Sequence, residues 1–333
     1  MKHHPVRHLI SLDDLTDDDL REVVERGAQH AAASDAATSG AVDRPLEGLV
    51  AGIYFVKTST RTRTAFSTAM LRLGGTIVSY GPGDLQTNTG ETNEDTGRVL
   101  SRMLDLLVAR TAGDPGEMRQ WATQNRMAVV NAMSADEHPT QALADLTTLT
   151  RHFGRVEGLR LLYVGEGNNT AAALALALSR CPGAELHLRT PPGYGLSAAI
   201  LERSRRQAAR SGAAVLERHD MDVLPGGVDA IYTTRWQTTG TVKPDPRWRE
   251  TFAPFQITDA LWEHSPRAVF LHDLPAHRGE EVTADVLDGP MSIAFDQAEN
   301  KMYSAMAVLE WCRAGQWQHV DGGIPATASA GRT

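Results

Sequence analysis

Short apolar stretches alternate with helix-forming segments along most of this chain, and the alternation runs twice. In the first half, the apolar runs 49–56 and 127–132 are each followed by a segment with helical periodicity. The same pattern begins again at 159–167 and continues to 268–272. Apolar strands that alternate with helices are typical of parallel sheets covered by helices on both faces. The sequence therefore predicts an α/β fold with two doubly wound parallel-sheet domains.

The length of the chain also favours two domains. Its 333 residues exceed what a single hydrophobic core usually serves. We predict a first domain at residues 1–150 and a second domain at 151–297. A strongly helical segment at 298–315 is expected to pack back across the first domain, and the small, polar residues 321–333 are expected to be disordered.

Composition and charge disfavour two classes of function. With 33 basic and 41 acidic side chains, the formal net charge of -8 argues against a general binder of nucleic acid or acidic membranes. No apolar run approaches the ~18 residues of a membrane-spanning helix, and the N-terminus lacks the apolar core of a signal peptide. Cys181 and Cys312 show no metal-type spacing. We therefore expect a cytoplasmic enzyme with reduced cysteines.

The turn after the first strand concentrates groups that bind anions. It reads 57-KTSTRTR-63, and Ser59 is predicted to be the N-cap of the helix that follows. Unpaired N–H groups and the helix dipole favour an anion at such a position. The hydroxyl groups of Ser59, Thr60 and Thr62 and the charge of Arg61 add further donors. The motif predicts a phosphate site, although a capped helix with solvated arginines remains the structural alternative.

A second motif, 136-DEHPTQALADL-146, begins another predicted helix. His138 precedes Pro139, which is a favoured first residue of a helix, and Gln141 follows in the first turn. His138 and Gln141 are three residues apart and are expected to share a face at the mouth of the first sheet. The alternative for His138 is a cap or a hydrogen bond within the core.

The strand predicted at 268–272 ends in a group of charged residues. A carboxylate there could belong to a metal site, an acid/base pair or a site for a cationic substrate. The candidate metal ligands are His272, Asp273, His277, Glu280 and Glu281. Pro275 interrupts this stretch and no His-Glu-x-x-His spacing occurs, which disfavours a metal site.

The segment 164-VGEGNNTAAAL-174 follows a predicted strand, as a dinucleotide-binding loop would. The third glycine of that motif is absent, and the next strand ends at Arg189 instead of an acidic residue. A dinucleotide-dependent dehydrogenase is therefore a disfavoured alternative.

Taken together, these segments resemble the aspartate/ornithine carbamoyltransferase family, and its ornithine branch more closely. They follow each other in the family's order across roughly residues 10–312. The segments that carry the resemblance are 59-STRTR-63, 91-ETNEDTGRVLSRM-103, 138-HPTQALADL-146, 164-VGEGNN-169, 272-HDLPAHRGEEV-282 and 296-DQAENKM-302.

The resemblance implies an enzyme that transfers the carbamoyl group of carbamoyl phosphate to a primary amine, with a ureido product and phosphate. It implies a first domain that binds carbamoyl phosphate, a second that binds the amine, and a homotrimer with shared sites. Neither a metal nor an organic cofactor is expected, and no nucleic acid or membrane partner.

The resemblance also assigns residues to the donor substrate and to catalysis. Gln86 matches a glutamine that reaches the site from the neighbouring subunit. The implied carbamoyl phosphate residues are Ser59, Thr60, Arg61, Thr62, Gln86, Arg110, His138, Gln141, Leu274 and Lys301. The candidate catalytic residues are Arg61, Arg110, His138 and Asp273.

On the acceptor side this chain departs from the family pattern. Asp273 stands where the ornithine branch has a cysteine, so a thiol with a pKa of about 8.5 is replaced by a carboxyl of about 3.9. Thr234 stands where an aspartate would bind the α-amino group of ornithine, and Arg235 where a small neutral residue is usual. Asn169 is retained, whereas Lys301 replaces an arginine. The implied acceptor residues are Asn169, Thr234, Arg235, Thr238, Thr239 and Asp273.

These departures predict a carbamoyltransferase whose acceptor is a non-standard or modified amine. An α-ammonium group buried without its aspartate would cost several kcal/mol, unless Asp273 takes its place. An ordinary ornithine carbamoyltransferase that makes citrulline is one alternative. A catalytically weak family member that acts as a binding protein is another.

Overall fold

A computed structural model describes residues 6–36, 43–237 and 242–313. The first of its two sheets has four parallel strands in the order β2-β1-β3-β4. Its strands are β1 (Val50–Phe55), β2 (Thr76–Tyr80), β3 (Leu106–Arg110) and β4 (Ala128–Met133). All six residues of β4 are buried, as the apolar run in the sequence predicts.

The second sheet has five parallel strands in the order β7-β6-β5-β8-β9. These strands are β5 (Arg160–Val164), β6 (Glu185–Arg189), β7 (Ala214–Arg218), β8 (Ala230–Thr233) and β9 (Val269–His272). The fold prediction of two parallel-sheet α/β domains is therefore confirmed. The strand β7 was not predicted, because it is an edge strand in which an apolar residue, Leu216, is exposed together with Arg218, so its residues do not form an uninterrupted apolar run.

Helices cover both sheets and begin at residues with clear local signals. Asn168 caps the helix after β5 by accepting hydrogen bonds from two backbone N–H groups, and Gly154 ends the helix after β4 in the left-handed conformation. The helices are α1 (Asp17–Asp35), α2 (Arg61–Arg72), α3 (Asn93–Leu100), α4 (Pro115–Trp121), α5 (Pro139–Phe153), α6 (Asn169–Leu178), α7 (Ala198–Ser211), α8 (Trp248–Phe252), α9 (Ala284–Leu287) and α10 (Ala294–Arg313). Within the described ranges, no helix is both long and apolar enough to cross a membrane.

The helix α10 contacts α1, α2 and α5, which cover the first sheet. It begins at Ala294, earlier than the predicted 298. The helix α5 continues through residue 150, the predicted boundary between the domains. The predicted disordered tail, 321–333, lies outside the described residues.

The strand order determines where a ligand can bind. In the first sheet the order reverses between β1 and β3, and in the second sheet between β5 and β8. Loops that follow such neighbouring strands diverge to opposite faces and leave a crevice at the carboxyl edge of the sheet. Predicted site residues directly follow β1, β4, β5, β8 and β9, and Arg110 ends β3, so these residues lie at the carboxyl edges of the two sheets.

Candidate active site

A cavity of about 320 Å³ lies where loops from the carboxyl edges of both sheets meet. Residues that are far apart in the sequence come together in its wall. The predicted site residues that line it are Ser59, Thr60, Arg61, Thr62, Arg110, His138, Gln141, Asn169, Thr234, Arg235, Asp273, Leu274 and Lys301. Lining residues that were not predicted are Thr58, Met133, Asn168, Thr170, Gln237 and Pro275.

One predicted residue that the structure describes is not part of this wall, and two others lie outside the described ranges. Gln86 is exposed in a short 3-10 helix, Gln86–Thr89, and does not line the cavity. Its assignment to the site of a neighbouring subunit stays a prediction. Thr238 and Thr239 lie outside the described residues.

The anion-binding turn after β1 differs from the prediction in one detail. The helix α2 begins at Arg61, and its N-cap is Thr60, so the assignment of Ser59 as the N-cap is wrong. Thr60 already has helical backbone angles, φ -75° and ψ -57°, and its side chain makes no capping hydrogen bond. The first N–H groups of a helix have no partner within the helix. An anion at this end of the cavity would find these donors together with the neighbouring hydroxyl groups.

Three cationic side chains face the same half of the cavity. Burial lowers the pKa of Arg61 and lowers the pKa of Arg110 to about 10, and the nearby Asp273 carboxylate partly opposes both shifts. Burial also lowers the pKa of Lys301 to about 8, again against the effect of Asp273. Each shift means that burial in the cavity wall destabilises the protonated, positively charged form of the side chain. This half of the cavity is therefore suited to a dianion that would offset those charges.

His138 and Gln141 lie beside these cations, at the start of α5. Burial lowers the pKa of His138 well below its usual range, and the positive charges of Lys301 and Arg110 lower it further. The imidazole is therefore neutral at physiological pH and can donate one N–H hydrogen bond without a charge. The side-chain carbonyl of Gln141 accepts a hydrogen bond from Nζ of Lys301.

We call the lining residues around Asp273 the second half of the cavity; Asp273 is the only acidic residue among the described residues that line it, and its charge acts on all three cations of the first half. One carboxylate oxygen accepts a hydrogen bond of 2.8 Å from Thr234 Oγ1 at the end of β8. The other accepts one of 3.0 Å from Thr170 Oγ1 in the first turn of α6. Thr170 was missed in the sequence, although its position next to Asn169, directly after a strand, could have indicated it.

Asn169 and Arg235 also belong to this half of the cavity, and they differ in whether their side chains have hydrogen-bond partners. Asn169 Nδ2 donates to the backbone carbonyl of Ser134 at 2.8 Å, so its N–H is directed to a loop of the first sheet. Its side-chain oxygen and the second N–H of the amide remain for a ligand. Arg235 Nε is buried and has no hydrogen-bond partner among the described residues. Arg235 lines the cavity, and its positive charge would favour a ligand carboxylate.

The cluster considered as a metal site divides into two parts. His277, Glu280 and Glu281 have ligand atoms within 4.8 Å of one another, whereas Asp273 faces the cavity. Glu281 is fully buried, and the same oxygen accepts a hydrogen bond from the His277 backbone N–H and lies 3.3 Å from His272 Nε2. These contacts give Glu281 a structural role that holds the loop after β9. That this protein works without a metal stays a prediction.

Comparison with known proteins identifies the family. The family model for "Aspartate/ornithine carbamoyltransferase, carbamoyl-P binding domain" matches residues 7–151. The model for the "Asp/Orn binding domain" of the same family matches residues 157–312. Together they account for nearly all of the described chain, in the order in which the sequence motifs occur.

Individual relatives agree with this result. The ornithine carbamoyltransferase of Symbiobacterium thermophilum is 39% identical over 306 residues, which cover 91% of this chain and 96% of the relative. The anabolic ornithine carbamoyltransferase of Pyrococcus furiosus is 40% identical over 277 residues, or 83% of this chain and 87% of the relative.

Solved structures show the same likeness in three dimensions. The ornithine carbamoyltransferase structure from Pyrococcus furiosus superposes with a TM-score of 0.86 at 36% identity, over 94% of this chain and 99% of that one. A mitochondrial ornithine carbamoyltransferase from Coccidioides immitis gives a TM-score of 0.82 at 28% identity, over 92% and 96%. The dehydrogenase and the non-catalytic alternatives gain no support from these matches. The chain belongs to the aspartate/ornithine carbamoyltransferase family and is a carbamoyltransferase.

Proposed function

We propose that the protein transfers the carbamoyl group of carbamoyl phosphate to the side-chain amine of an amino acid, with ornithine as the first candidate acceptor. The observation that carries this proposal is one cavity whose wall presents both a cluster of cationic side chains and a carboxylate. One half presents Arg61, Arg110 and Lys301, and the other presents the Asp273 carboxylate. A dianionic phosphate and a cationic amine would each find complementary groups there.

The donor half suits carbamoyl phosphate in both charge and hydrogen bonding. The start of α2, with Thr60, Arg61 and Thr62, offers N–H, hydroxyl and guanidinium donors to the phosphate oxygens. In this proposal the carbonyl oxygen of Gln141, which accepts a hydrogen bond from Lys301, would also accept one from the carbamoyl NH2 group. This supports the assignment of the first half of the site to the donor.

The acceptor half suits an amino acid. The Asp273 carboxylate, held by two threonine hydroxyl groups, offers a partner for an ammonium group. Arg235 and the side-chain oxygen of Asn169 lie in the same wall and offer partners for the other polar groups of the substrate. An acceptor with both an ammonium and a carboxylate group would use Asp273 and Arg235 at once. The relatives named ornithine carbamoyltransferase support ornithine as this acceptor.

The proposed reaction requires charge stabilisation and alignment. A neutral amine attacks the carbamoyl carbon, negative charge develops on the carbonyl oxygen, and phosphate leaves with the electron pair of the broken C–O bond. Arg61, Arg110 and the N–H of neutral His138 would donate to these oxygens. The leaving phosphate can accept the proton that the amine loses, so the reaction needs no further base. Since these groups supply the stabilisation, we propose that neither a metal nor an organic cofactor takes part.

A specific observation favours a second candidate acceptor. At the position where the family resemblance implies an aspartate, Thr234 has no charge, and the carboxylate of this half comes from Asp273 on the neighbouring strand. An amine whose cationic group lies nearer to β9 than that of ornithine would fit this arrangement. A non-standard or modified diamine is therefore the second candidate.

The test is a panel of amines offered with carbamoyl phosphate to the purified enzyme, with ureido product measured as a function of amine concentration. Ornithine, lysine, 2,4-diaminobutyrate, putrescine and N-acetylornithine vary the chain length and remove either the carboxylate or the α-ammonium group. The highest kcat/KM for ornithine supports the first candidate, and a higher value for another amine supports the second. Absence of ureido product with every amine would contradict carbamoyl transfer in this site.

We further propose a homotrimer with shared sites, as the family resemblance implies. Large apolar side chains are exposed on the edge strand β2, on α2 and α3, and in the turn after α3, and a subunit contact would cover them. These residues are Leu71, Val78, Val99 and Met103. Light scattering should give three times the chain mass of 36.1 kDa; the mass of a single chain would contradict the proposal. A cytoplasmic location is supported by Cys181 and Cys312, which are both free and buried.

A further inference from the structure

A fully buried carboxylate, Asp145, lies behind the wall of the cavity in α5. It does not line the cavity, and its side chain is 0% exposed. A carboxylate in such a place must be held by several donors, because an unpaired buried charge is strongly unfavourable. Its partners come from the first sheet's helix, from the second sheet and from the C-terminal helix.

Two side-chain amides donate to one oxygen of this carboxylate. Gln141 Nε2 and Gln297 Nε2 each lie 2.7 Å from Asp145 Oδ1. The other oxygen, Oδ2, accepts a hydrogen bond of 3.0 Å from the hydroxyl of Tyr232. All three partners are donors, so the position requires a group that only accepts, which an ionised carboxylate does. Burial raises the pKa of Asp145 to about 6, and the bonds from Gln297 and Gln141 act in the opposite direction, so the group is ionised at neutral pH.

On the donor side, Asp145 decides which way the Gln141 amide points. Because the NH2 group of Gln141 is bound to Asp145, its carbonyl oxygen must point the other way, towards Lys301 and the cavity. A rotated amide would present NH2 to a lysine ammonium and to the carbamoyl NH2 group, which are both donors. The orientation of Gln141 therefore depends on Asp145.

On the acceptor side, the same carboxylate holds the ends of two strands. Gln297 donates to Asp145 and accepts a hydrogen bond of 2.8 Å from the backbone N–H of His272, the residue before Asp273. Tyr232, which also bonds Asp145, lies on β8 two residues before Thr234. Thr234 thus comes two residues after Tyr232, which bonds Asp145 directly, and Asp273 comes one residue after His272, which is linked to Asp145 through Gln297.

We infer that Asp145 is a positioning residue that couples the two halves of the active site, orienting Gln141 for the donor and fixing the ends of β8 and β9 for the acceptor. The inference rests on the proposed assignment of the two halves to carbamoyl phosphate and to the amine. The sequence contained a signal for it, since Asp145 lies four residues after Gln141 and so shares its helix face. The signal was missed because the neighbours of Asp145 are apolar core residues.

The test compares Asp145→Asn with Gln297→Leu in the full-length enzyme. Binding of freshly prepared carbamoyl phosphate is measured by calorimetry, and the acceptor KM is measured at saturating donor with the best amine of the panel. Asp145→Asn removes the charge from all three bonds, and we expect both constants to rise about tenfold or more. Gln297→Leu removes the bond to Asp145 and the bond from the His272 N–H, but leaves the bonds of Gln141 and Tyr232 to Asp145 in place. The acceptor KM should therefore rise about tenfold while the donor Kd stays within about threefold.

The two constants distinguish coupling between the halves from a role of Asp145 in stability alone. A role in stability alone would lower the melting temperature and leave both constants at their wild-type values, which would overturn the inference. If Asp145→Asn does not fold, Gln297→Leu still decides, because an unchanged acceptor KM or an equal rise in both constants contradicts the coupling. Failure of the proposed function would appear differently, as a wild-type enzyme that neither binds carbamoyl phosphate nor forms a ureido product.

Discussion

The two halves of the active-site cavity differ in how closely they follow the family pattern. In the donor half, the implied residues other than Gln86 line the cavity, Lys301 is the one that replaces a family residue, and many donors converge on one small volume. In the acceptor half, the chain differs at Thr234, Arg235 and Asp273. The donor half serves a single, highly charged molecule, so several of its groups are needed at once. The acceptor half depends on a few polar contacts, and a change in one of them can alter which amine is bound.

The contact between Thr234 and Asp273 gives this difference a structural meaning. The family resemblance implies an aspartate at the first position and a cysteine at the second. In this chain the carboxylate is at the second position, and the two side chains are joined by a hydrogen bond of 2.8 Å. Compared with the family pattern, the carboxylate therefore follows β9 instead of β8, and it is still in the same site. If donor and acceptor functions are divided in this way, substitutions in the two halves should affect different constants.

The largest effect is expected for Arg61→Ala, on the donor side. The substitution removes a cavity-lining guanidinium that, in the proposed function, would face the phosphate and the developing oxyanion, so kcat should fall by about 10³-fold or more. An assay of phosphate release at saturating carbamoyl phosphate measures kcat for the variant and the wild type. Retention of near wild-type turnover would mean that the reaction does not take place in this cavity.

A matched control for this variant is available on the same helix. Arg63 is exposed and lies over the ring of Phe55, at 5.3 Å from its centroid. Arg63→Ala removes the same charge from α2 without touching the cavity. It should keep kcat within about threefold of the wild-type value, since single surface substitutions have small effects.

The next largest effect is expected for Asp273→Asn, on the acceptor side. Loss of a partly buried charge partner should lower kcat/KM for a cationic acceptor by about 10²-fold. Binding of carbamoyl phosphate should be unchanged or slightly tighter, because Asp273 no longer competes for Arg61, Arg110 and Lys301. Calorimetry with carbamoyl phosphate and steady-state kinetics with the amine measure the two sides separately. Weaker donor binding would place Asp273 in the donor site, and Asp288→Asn on the surface serves as the control.

The parts of the molecule that could be predicted from the sequence are those set by local patterns. Uninterrupted apolar runs such as β4 and β5 predict buried parallel strands, and the polar turn before α2 predicts an anion site. The N-cap itself could not be predicted, because Ser59 and Thr60 are both suitable residues and only the backbone angles distinguish them.

What the sequence could not show are the residues whose roles depend on partners from elsewhere in the chain. Asp145 lies in a helix where every residue from 139 to 149 is buried, so its sequence context is that of a core segment. Its function becomes visible only when Tyr232 and Gln297 are placed against it. Thr170 is a similar case, because its hydroxyl matters only through Asp273.

A smaller but more specific effect is expected when the carboxylate is returned to the neighbouring strand. Asp273→Cys alone should lower the kcat/KM for ornithine. We expect the double variant Thr234→Asp/Asp273→Cys to have a kcat/KM for ornithine about tenfold higher than that of Asp273→Cys alone. The reason is that the two side chains are in contact, so the double variant again has one carboxylate in the acceptor half. The kcat/KM for ornithine is measured for the wild type, both single variants and the double variant. If the loss in the double variant equals the sum of the losses in the two single variants, expressed as free energies, an aspartate at position 234 does not replace the function of Asp273.

The smallest effect concerns Lys301, the single position where the donor half departs from the family pattern. Burial lowers the pKa of Lys301 to about 8. A dianion binds the protonated form, so this contribution to affinity is complete below that pKa and is lost as the pH rises through it. The Kd for carbamoyl phosphate should therefore rise about threefold to tenfold between pH 7 and pH 9.

Lys301→Arg tests whether this lysine causes the change in affinity, because a guanidinium remains charged at pH 9. The variant should bind carbamoyl phosphate with a Kd that changes little between pH 7 and pH 9. Equilibrium titration is preferable to rate measurements, since deprotonation of the amine substrate raises the rate over the same pH range. If both proteins lose affinity equally, another group titrates and Lys301 does not contact the phosphate. If neither protein loses affinity between pH 7 and pH 9, Lys301 has the same protonation state in the free and the bound enzyme. Lysine in place of arginine would then cause no pH dependence of carbamoyl phosphate binding.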